Sequence, residues 1–319
     1  AITSPWRISP ACPHFQECSG CHFQHCSQEH EILFKKDALF QHFRRQLPID
    51  GFNAESIVVH PAPSRLHYRN RLQLHYRKNS NELGFIDPWE NKIIPVPSCV
   101  IGNSLIQQKM RELYDCDHWH KFLHNAPSQG HIELFTPANK ELIISVNRPY
   151  AAGGFEQVNP SMNEQLAKQK WPANFLGNGV VLDLFGGNGN FSRKLEGHKV
   201  FVVDINSDFD TPQTSLSKHQ EFVSLDLYQQ NAPQNLRHLV KDKVDLLLLD
   251  PPRSGLKNLD SFVQFFSPQI IVYLSCEAAT MTRDLKALFP KYHLQEIHLY
   301  DFFPSTYHFE SLAILSIVR

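Results

Sequence analysis

Three side chains able to do covalent and proton-transfer chemistry stand at the ends of apolar, strand-like runs. Asp250 opens DPPRSG directly after VDLLLLD (244–250), and Cys276 directly follows IIVYLS (270–275). Glu310 closes the loop DFFPSTYHFE, which also carries His308, just before SLAILSIV. Taken singly each has a plain reading, since a lone Cys is usually a small buried hydrophobe. Together they suit one chemistry. A thiolate that adds to C6 of a uracil turns C5 into an electron-rich carbon, so one hard step becomes two easier ones. The C5 proton must then leave to a base within hydrogen-bond reach before the sulfur can be expelled. Such a thiol needs a pKa below its free value of about 8.5.

An adenosine-type site stands upstream in the same half. VVLDLF (180–185) runs into GGNGN, with Gly186, Gly187 and Gly189 permitting a tight turn, and FSRKL is expected to open a helix there. Asp204 ends the next apolar run, about 20 residues on, where a carboxylate can take both hydroxyls of a ribose. The geometry alone does not separate NAD from S-adenosylmethionine, although GGxG departs from G-x-G-x-x-G and so disfavours NAD.

These groups need a scaffold that gathers strand ends. After Gly179 short apolar runs alternate with helix-like segments: VVLDLF, KVFVVDI (199–205), EFVSLDL (221–227), VDLLLLD and IIVYLS, then HLQEIHLY and SLAILSIV. Buried parallel strands look like this, and seven of them with interleaved helices predict a Rossmann-like α/β domain over 156–319. Residues 1–155 read as an α+β domain, with strand-like pieces such as IVVHPAPS and RLQLHYRKN and one helix over about 27–46.

Composition is that of an ordinary globular chain, with 42% hydrophobic and 20% charged residues and a net charge of −1. No apolar run approaches the roughly 20 residues that span a bilayer, and AITSPWRISP lacks a signal-peptide pattern, so a cytoplasmic location is expected. Within 61–80 lie Arg65, Arg69, Arg71, Arg77 and Lys78, interleaved with aromatics and free of acids. Such a stretch is either a phosphate-contacting surface or an amphipathic strand. Of seven cysteines, Cys12, Cys18 and Cys21 cluster, with Cys26 just beyond. Clustering of this kind points to metal ligation before disulfides.

CPHFQECSGC, QVNP, LDLFGGNGNF, DPPRSG, YLSCEAATMTRD and FPSTYHFE together resemble the RNA uracil-C5 methyltransferase family, specifically its iron–sulfur 23S rRNA branch. The resemblance implies Cys276 as nucleophile and Glu310 as proton acceptor. Gln157, Phe185, Asn190, Asp204, Asp226 and Asp250 would line the pocket for S-adenosylmethionine and the target base. Cys99, in VPSCVIG, would complete a [4Fe–4S] site with Cys12, Cys18 and Cys21; Cys26 competes as fourth ligand, and zinc competes as metal because four thiolates suit it equally. The cluster would be a structural staple for an RNA-binding first half, and the small β-barrel at the front of many relatives is not expected before Cys12. Structured RNA is the implied partner, 23S rRNA first and a tRNA T-loop uridine second, with no obligate protein partner evident. Other classes are an NAD-dependent iron–sulfur redox protein and an inactive RNA-binding module. The sequence departs from the family at Gly186, where many relatives have Cys, a change expected to be harmless, and at Glu277-Ala278 in place of Asn-Pro.

Overall fold

The computed structural model describes residues 4–137, 141–149, 157–169, 178–205 and 216–318. Its helices are α1 (Gln28–Gln46), α2 (Ser104–Tyr114), α3 (Pro160–Ala167), α4 (Ala232–Leu239), α5 (Leu259–Phe266) and α6 (Ala278–Lys286). Its first strands are β1 (Ile57–His60), β2 (Arg71–Arg77), β3 (Glu82–Ile86), β4 (Ile93–Ile94), β5 (Gln129–Phe135) and β6 (Ile143–Val146). The later ones are β7 (Val180–Leu184), β8 (Lys199–Asp204), β9 (Gln220–Ser224), β10 (Leu246–Leu249), β11 (Ile270–Ser275), β12 (Tyr292–Tyr300) and β13 (Glu310–Ile317).

The chain packs into two compact units, each discontinuous in sequence. The first comprises Ala1–Phe34, Ala62–Glu164 and Phe302–His308, the second Lys35–Pro61, Gln165–Asp301 and Phe309–Arg319. In the first, β4-β3-β2-β5-β6 form an antiparallel sheet. Leu72, Leu74, Tyr76, Ile132 and Leu134 pack from it with Ile106, Met110 and Trp119. The Asn103 side chain caps α2 by accepting the N–H of Ile106 at 3.0 Å.

The second unit is built on an eight-stranded sheet, β1-β12-β13-β11-β10-β7-β8-β9. β9, β8, β7, β10 and β11 run parallel, and β13 is antiparallel to both β11 and β12. The four leucines of β10 are all buried, as a central parallel strand covered on both faces requires. The eighth strand is β1, which the pattern of the sequence grouped with the first half; it pairs parallel with β12, Ile57 opposite Ile297.

One local expectation is corrected. The glycine turn does not open a helix at FSRKL: Ser192–Lys194 form one 3₁₀ turn, and Gly197, at φ +90°, ends it before β8 begins at Lys199. Of the two readings of the basic stretch, the contacts of four of its cations favour the amphipathic strand. Arg71 is buried, paired with Glu133 at 3.2 Å and stacked over Phe135. Arg65 binds Glu31 and two backbone carbonyls, and Lys78 binds the carbonyls of Leu123 and Ala126. Arg77 holds the Asn91 carbonyl at 2.6 Å and lies 3.6 Å from Glu82. Among the described residues, no helix is long and apolar enough to cross a membrane.

Candidate active site

Parallel strands carry their carboxyl ends to one edge of the sheet, where ligands of doubly wound folds bind. β7 ends in Leu184, and Phe185 follows with φ +59°. The turn then closes with Gly187 and Gly189 also at positive φ. Gly186 is more restrictive than its place in a turn suggests. A Cβ there would lie 2.8 Å from the Asp183 carboxyl and 2.8 Å from Val202, so only glycine fits without a shift. Gly187 by contrast faces open space, and its N–H donates to Asp204 Oδ2 at 2.8 Å. Asp204 Oδ1 accepts the Ile205 N–H at 2.7 Å, so the end of β8 fixes this carboxylate against the turn.

Asp183, buried in β7, accepts a hydrogen bond from Ser192. Burial pushes its carboxyl up to about 7, with Ser192 opposing and the charge of Asp204 adding. Asp250 follows β10, its N–H reaching the Leu184 carbonyl at 3.3 Å. Burial and then the charge of Asp183 push it up to about 7 as well. Asp226, after β9, accepts the Tyr228 N–H at 3.0 Å; Tyr228 packs on Phe185 with ring centroids 5.5 Å apart. Asn190 is half-buried in the glycine turn.

Cys276 and Glu310 come together through the sheet register. β11 and β13 are antiparallel with Ser275 opposite Ser311, so the residue after Ser275 lies beside the residue before Ser311. Cys276 is partly exposed, whereas Glu310 is 5% exposed. The expected lowering of this thiol is not found: burial first and the charge of Glu310 second push it up to about 11. The Arg253 guanidinium opposes the rise both by its charge and by a hydrogen bond. Glu310 is itself held well above its ordinary range by burial and by Asp250, again against Arg253. Glu277 is not among the groups acting on the thiol; its backbone instead bonds with the Ser275 hydroxyl at the start of α6.

Arg253 stands in DPPRSG, where nothing in the sequence marks its role. Its loop is pinned by α6: Asp284 Oδ2 accepts the Leu256 N–H at 2.6 Å and the Tyr273 hydroxyl at 2.8 Å. Arg283 donates to the Ser254 carbonyl at 2.8 Å and to Asp284 Oδ1. A Cβ on Gly255, at φ +69°, would come within 2.3 Å of Asp284. Asp250, Arg253, Cys276 and Glu310 therefore form one electrostatic group, next to the glycine turn with Asp183 and Asp204. Gln157 and His308 belong to the first unit.

The first unit also holds the cysteines. Burial pushes Cys21 up to about 12, and the charges of Cys99, Cys18 and Cys12 add to the rise while the Gln24 side chain opposes it. Cys99 is raised by burial and by Cys18, against the N–H groups of Ile101 and Gly102. The four thiols thus lie near enough to repel one another when ionised, whereas Cys26 turns to the Phe23 carbonyl at 3.2 Å. Among the described residues no group of three or more His, Cys, Asp or Glu already stands as a metal site.

A family profile described as tRNA (Uracil-5-)-methyltransferase matches residues 224–318, the part that carries Asp250, Arg253, Cys276 and Glu310. The "23S rRNA (uracil(1939)-C(5))-methyltransferase RlmD" of Acinetobacter baylyi is 26% identical over 98% of this chain and 81% of its own. The protein of the same name from Legionella pneumophila (strain Lens) is 27% identical over 98% and 84%. Over nearly its whole length the chain is similar to these RNA uracil-C5 methyltransferases. The crystal structure of Pyrococcus abyssi tRNA (uracil-54, C5)-methyltransferase with S-adenosyl-L-homocysteine shares the fold. It superposes with a TM-score of 0.71 at 21% identity, covering 98% of this chain and 87% of that one.

Proposed function

We propose that this chain methylates C5 of a uridine in 23S rRNA, with S-adenosylmethionine as donor and Cys276 as covalent catalyst. The observation that carries the reading is the placement of Cys276, Glu310 and Arg253 in one mutual field at the carboxyl end of the sheet. The likeness to the two 23S rRNA enzymes over nearly the whole chain favours that RNA.

The residues present fit S-adenosylmethionine. Gly187 leaves open space beside Asp204, and burial makes the Asp183 and Asp250 carboxyls reluctant to ionise, a cost that a neighbouring cation removes. When bound, this molecule supplies an electrophilic methyl on a cationic sulfur. Asp204 would take the ribose, Phe185, Asn190 and Asp226 the adenine side, and Asp250 the target base. Cys276, its proton lost to solvent and its thiolate steadied by Arg253, adds to C6 of the uracil, and the electron-rich C5 would take the methyl that the cofactor supplies as the methyl–sulfur bond breaks to leave a neutral thioether. Glu310 then accepts the C5 proton, for which a carboxyl held above its ordinary pKa is well matched. The electrons of that C–H bond restore the ring double bond as the S–C bond breaks.

The first unit is read as the RNA-holding part, braced by metal on Cys12, Cys18, Cys21 and Cys99. These four fit by donor chemistry: buried thiols that repel each other as thiolates are what a cation relieves, with a [4Fe–4S] cluster read ahead of zinc.

Mass spectrometry of 23S rRNA and tRNA from cells with the wild-type gene, without it, and with Cys276→Ala tests the reading. One 5-methyluridine should vanish from 23S rRNA in both altered strains. Loss from tRNA alone would move the substrate, and an unchanged pattern in both RNAs would remove the function.

A further inference from the structure

The loop that leads into Glu310 is strapped down along its own backbone. Asn159 Nδ2 donates to the Phe302 carbonyl at 3.1 Å, and the Tyr68 hydroxyl donates to that of Pro304 at 3.1 Å. Within the loop, Thr306 Oγ1 donates to the Phe303 carbonyl and accepts the His308 N–H. Ser305 stands at the centre. It is fully buried and takes φ +71°, a left-handed backbone that a serine keeps only where its surroundings impose it. Its carbonyl accepts the N–H groups of His22 and Phe23 at 2.7 and 2.9 Å. Its own N–H donates to Glu31 Oε1 at 2.7 Å. Glu31, in the first turn of α1, is itself 0% exposed. Its other oxygen meets Arg65 at 2.9 Å, and Arg65 goes on to the carbonyls of Phe23 and Cys26. One buried carboxylate thus ties together the strained residue and the segment that holds its carbonyl.

We propose that Glu31 is a positioning residue for the base: by holding Ser305 it sets the course of Phe302–His308, and so the direction in which the chain enters β13 at Glu310. The inference deepens the catalytic reading given above and rests on it. A hydrogen bond to a carboxylate is about twice as strong as one to a neutral acceptor, which suits an N–H on a strained backbone. Proton removal needs the base within hydrogen-bond reach, and an error of about 1 Å can cost about 100-fold. The step that suffers is specific. C5 takes its methyl before it gives up its proton, and the sulfur of Cys276 leaves only as the electrons of that C–H bond rebuild the ring double bond. A displaced base therefore strands the methylated RNA on Cys276. Nothing in the sequence marks the pair, since Glu31 and Ser305 are 274 residues apart.

Two substitutions set reach against charge. Glu31→Gln keeps the length and an oxygen for the Ser305 N–H, but loses the charge that faces Arg65. Glu31→Asp keeps the charge and is one methylene too short for Ser305. The full chain and both variants would be given unmodified 23S rRNA transcribed in vitro and S-adenosylmethionine labelled in its methyl group, with circular dichroism to check the fold. Glu31→Asp should lose kcat by about 10- to 100-fold at an unchanged KM for RNA. Its labelled RNA should stay attached to the protein through denaturing electrophoresis. Glu31→Gln should keep the wild-type kcat and hold no adduct, and it carries the test alone if the shorter side chain does not fold. If Glu31→Asp keeps its kcat, or loses it without holding an adduct, Glu31 does not place the base. If Glu31→Gln falls as far as Glu31→Asp, charge and not reach is what matters, and the inference fails. If the wild type methylates no uridine, the catalytic reading falls and takes this inference with it; methylation by the wild type leaves that reading standing whatever the variants do.

Discussion

At Cys276 two groups of opposite charge act on one proton. Burial and Glu310 hold the thiol protonated up to about pH 11, and Arg253 works in the other direction. The thiolate is therefore scarce near neutral pH and grows tenfold per pH unit below that midpoint, so alkylation of free enzyme by iodoacetamide should rise with near-unit slope from pH 7 to 10. Removing the guanidinium in Arg253→Met takes away both opposing effects, so the midpoint moves further up and alkylation at pH 8 slows by about tenfold per unit of rise. Peptide mass spectrometry on residue 276 measures this, and an unchanged rate would deny Arg253 its part. At this scale the sequence was legible where chemistry coincides with a strand end, as at Asp250, Cys276 and Glu310. It was opaque where a side chain's partner is distant. Arg71 and Arg65 read as available cations because Glu133 and Glu31 lie 62 and 34 residues away, and only folding brings them within bonding reach.

Among elements, the decisive relation is between α6 and the loop that leaves β10. The strands of the second unit follow from apolar runs and were visible, whereas their order was not. What the periodicity could not show is that the Asp284 carboxylate, inside α6, ties together Leu256, Tyr273 and Arg283. Asp284→Asn keeps the volume but exchanges a two-oxygen acceptor for an amide, whose single oxygen can serve either Leu256 and Tyr273 or Arg283 and leaves the other side without its acceptor. That should cost about 1–3 kcal/mol in urea unfolding. It should also release Arg253, so that Cys276 alkylation at pH 8 falls toward the rate of Arg253→Met. A variant that is destabilised yet alkylated at the wild-type rate would show that the loop holds Arg253 without help from α6. The missing helix after the glycine turn has a local cause: only seven residues separate Gly189 from Gly197, and both take positive φ.

For the molecule as a whole, contiguity in sequence is a poor guide to packing. The second unit takes Lys35–Pro61 from the front of the chain, so that β1 extends the sheet beside β12 and Leu39, Phe43 and Ile57 enter its core. The join is fixed by an ion pair away from water: Lys35 Nζ meets Asp301 Oδ1 at 2.7 Å, with side chains 1% and 0% exposed. The other oxygen of Asp301 is buried without a hydrogen-bond partner, so Lys35 carries most of the compensation for that charge. Breaking such a pair from one side strands a buried charge and costs about 3–5 kcal/mol, whereas replacing both members by apolar residues of similar volume can be neutral. Lys35→Met should accordingly lower the urea midpoint sharply, and Lys35→Met with Asp301→Leu should recover most of the loss. If the single variant unfolds like the wild type, α1 and β1 are held by apolar packing alone. If the double variant is as weak as the single, the geometry of the pair matters beyond its charge.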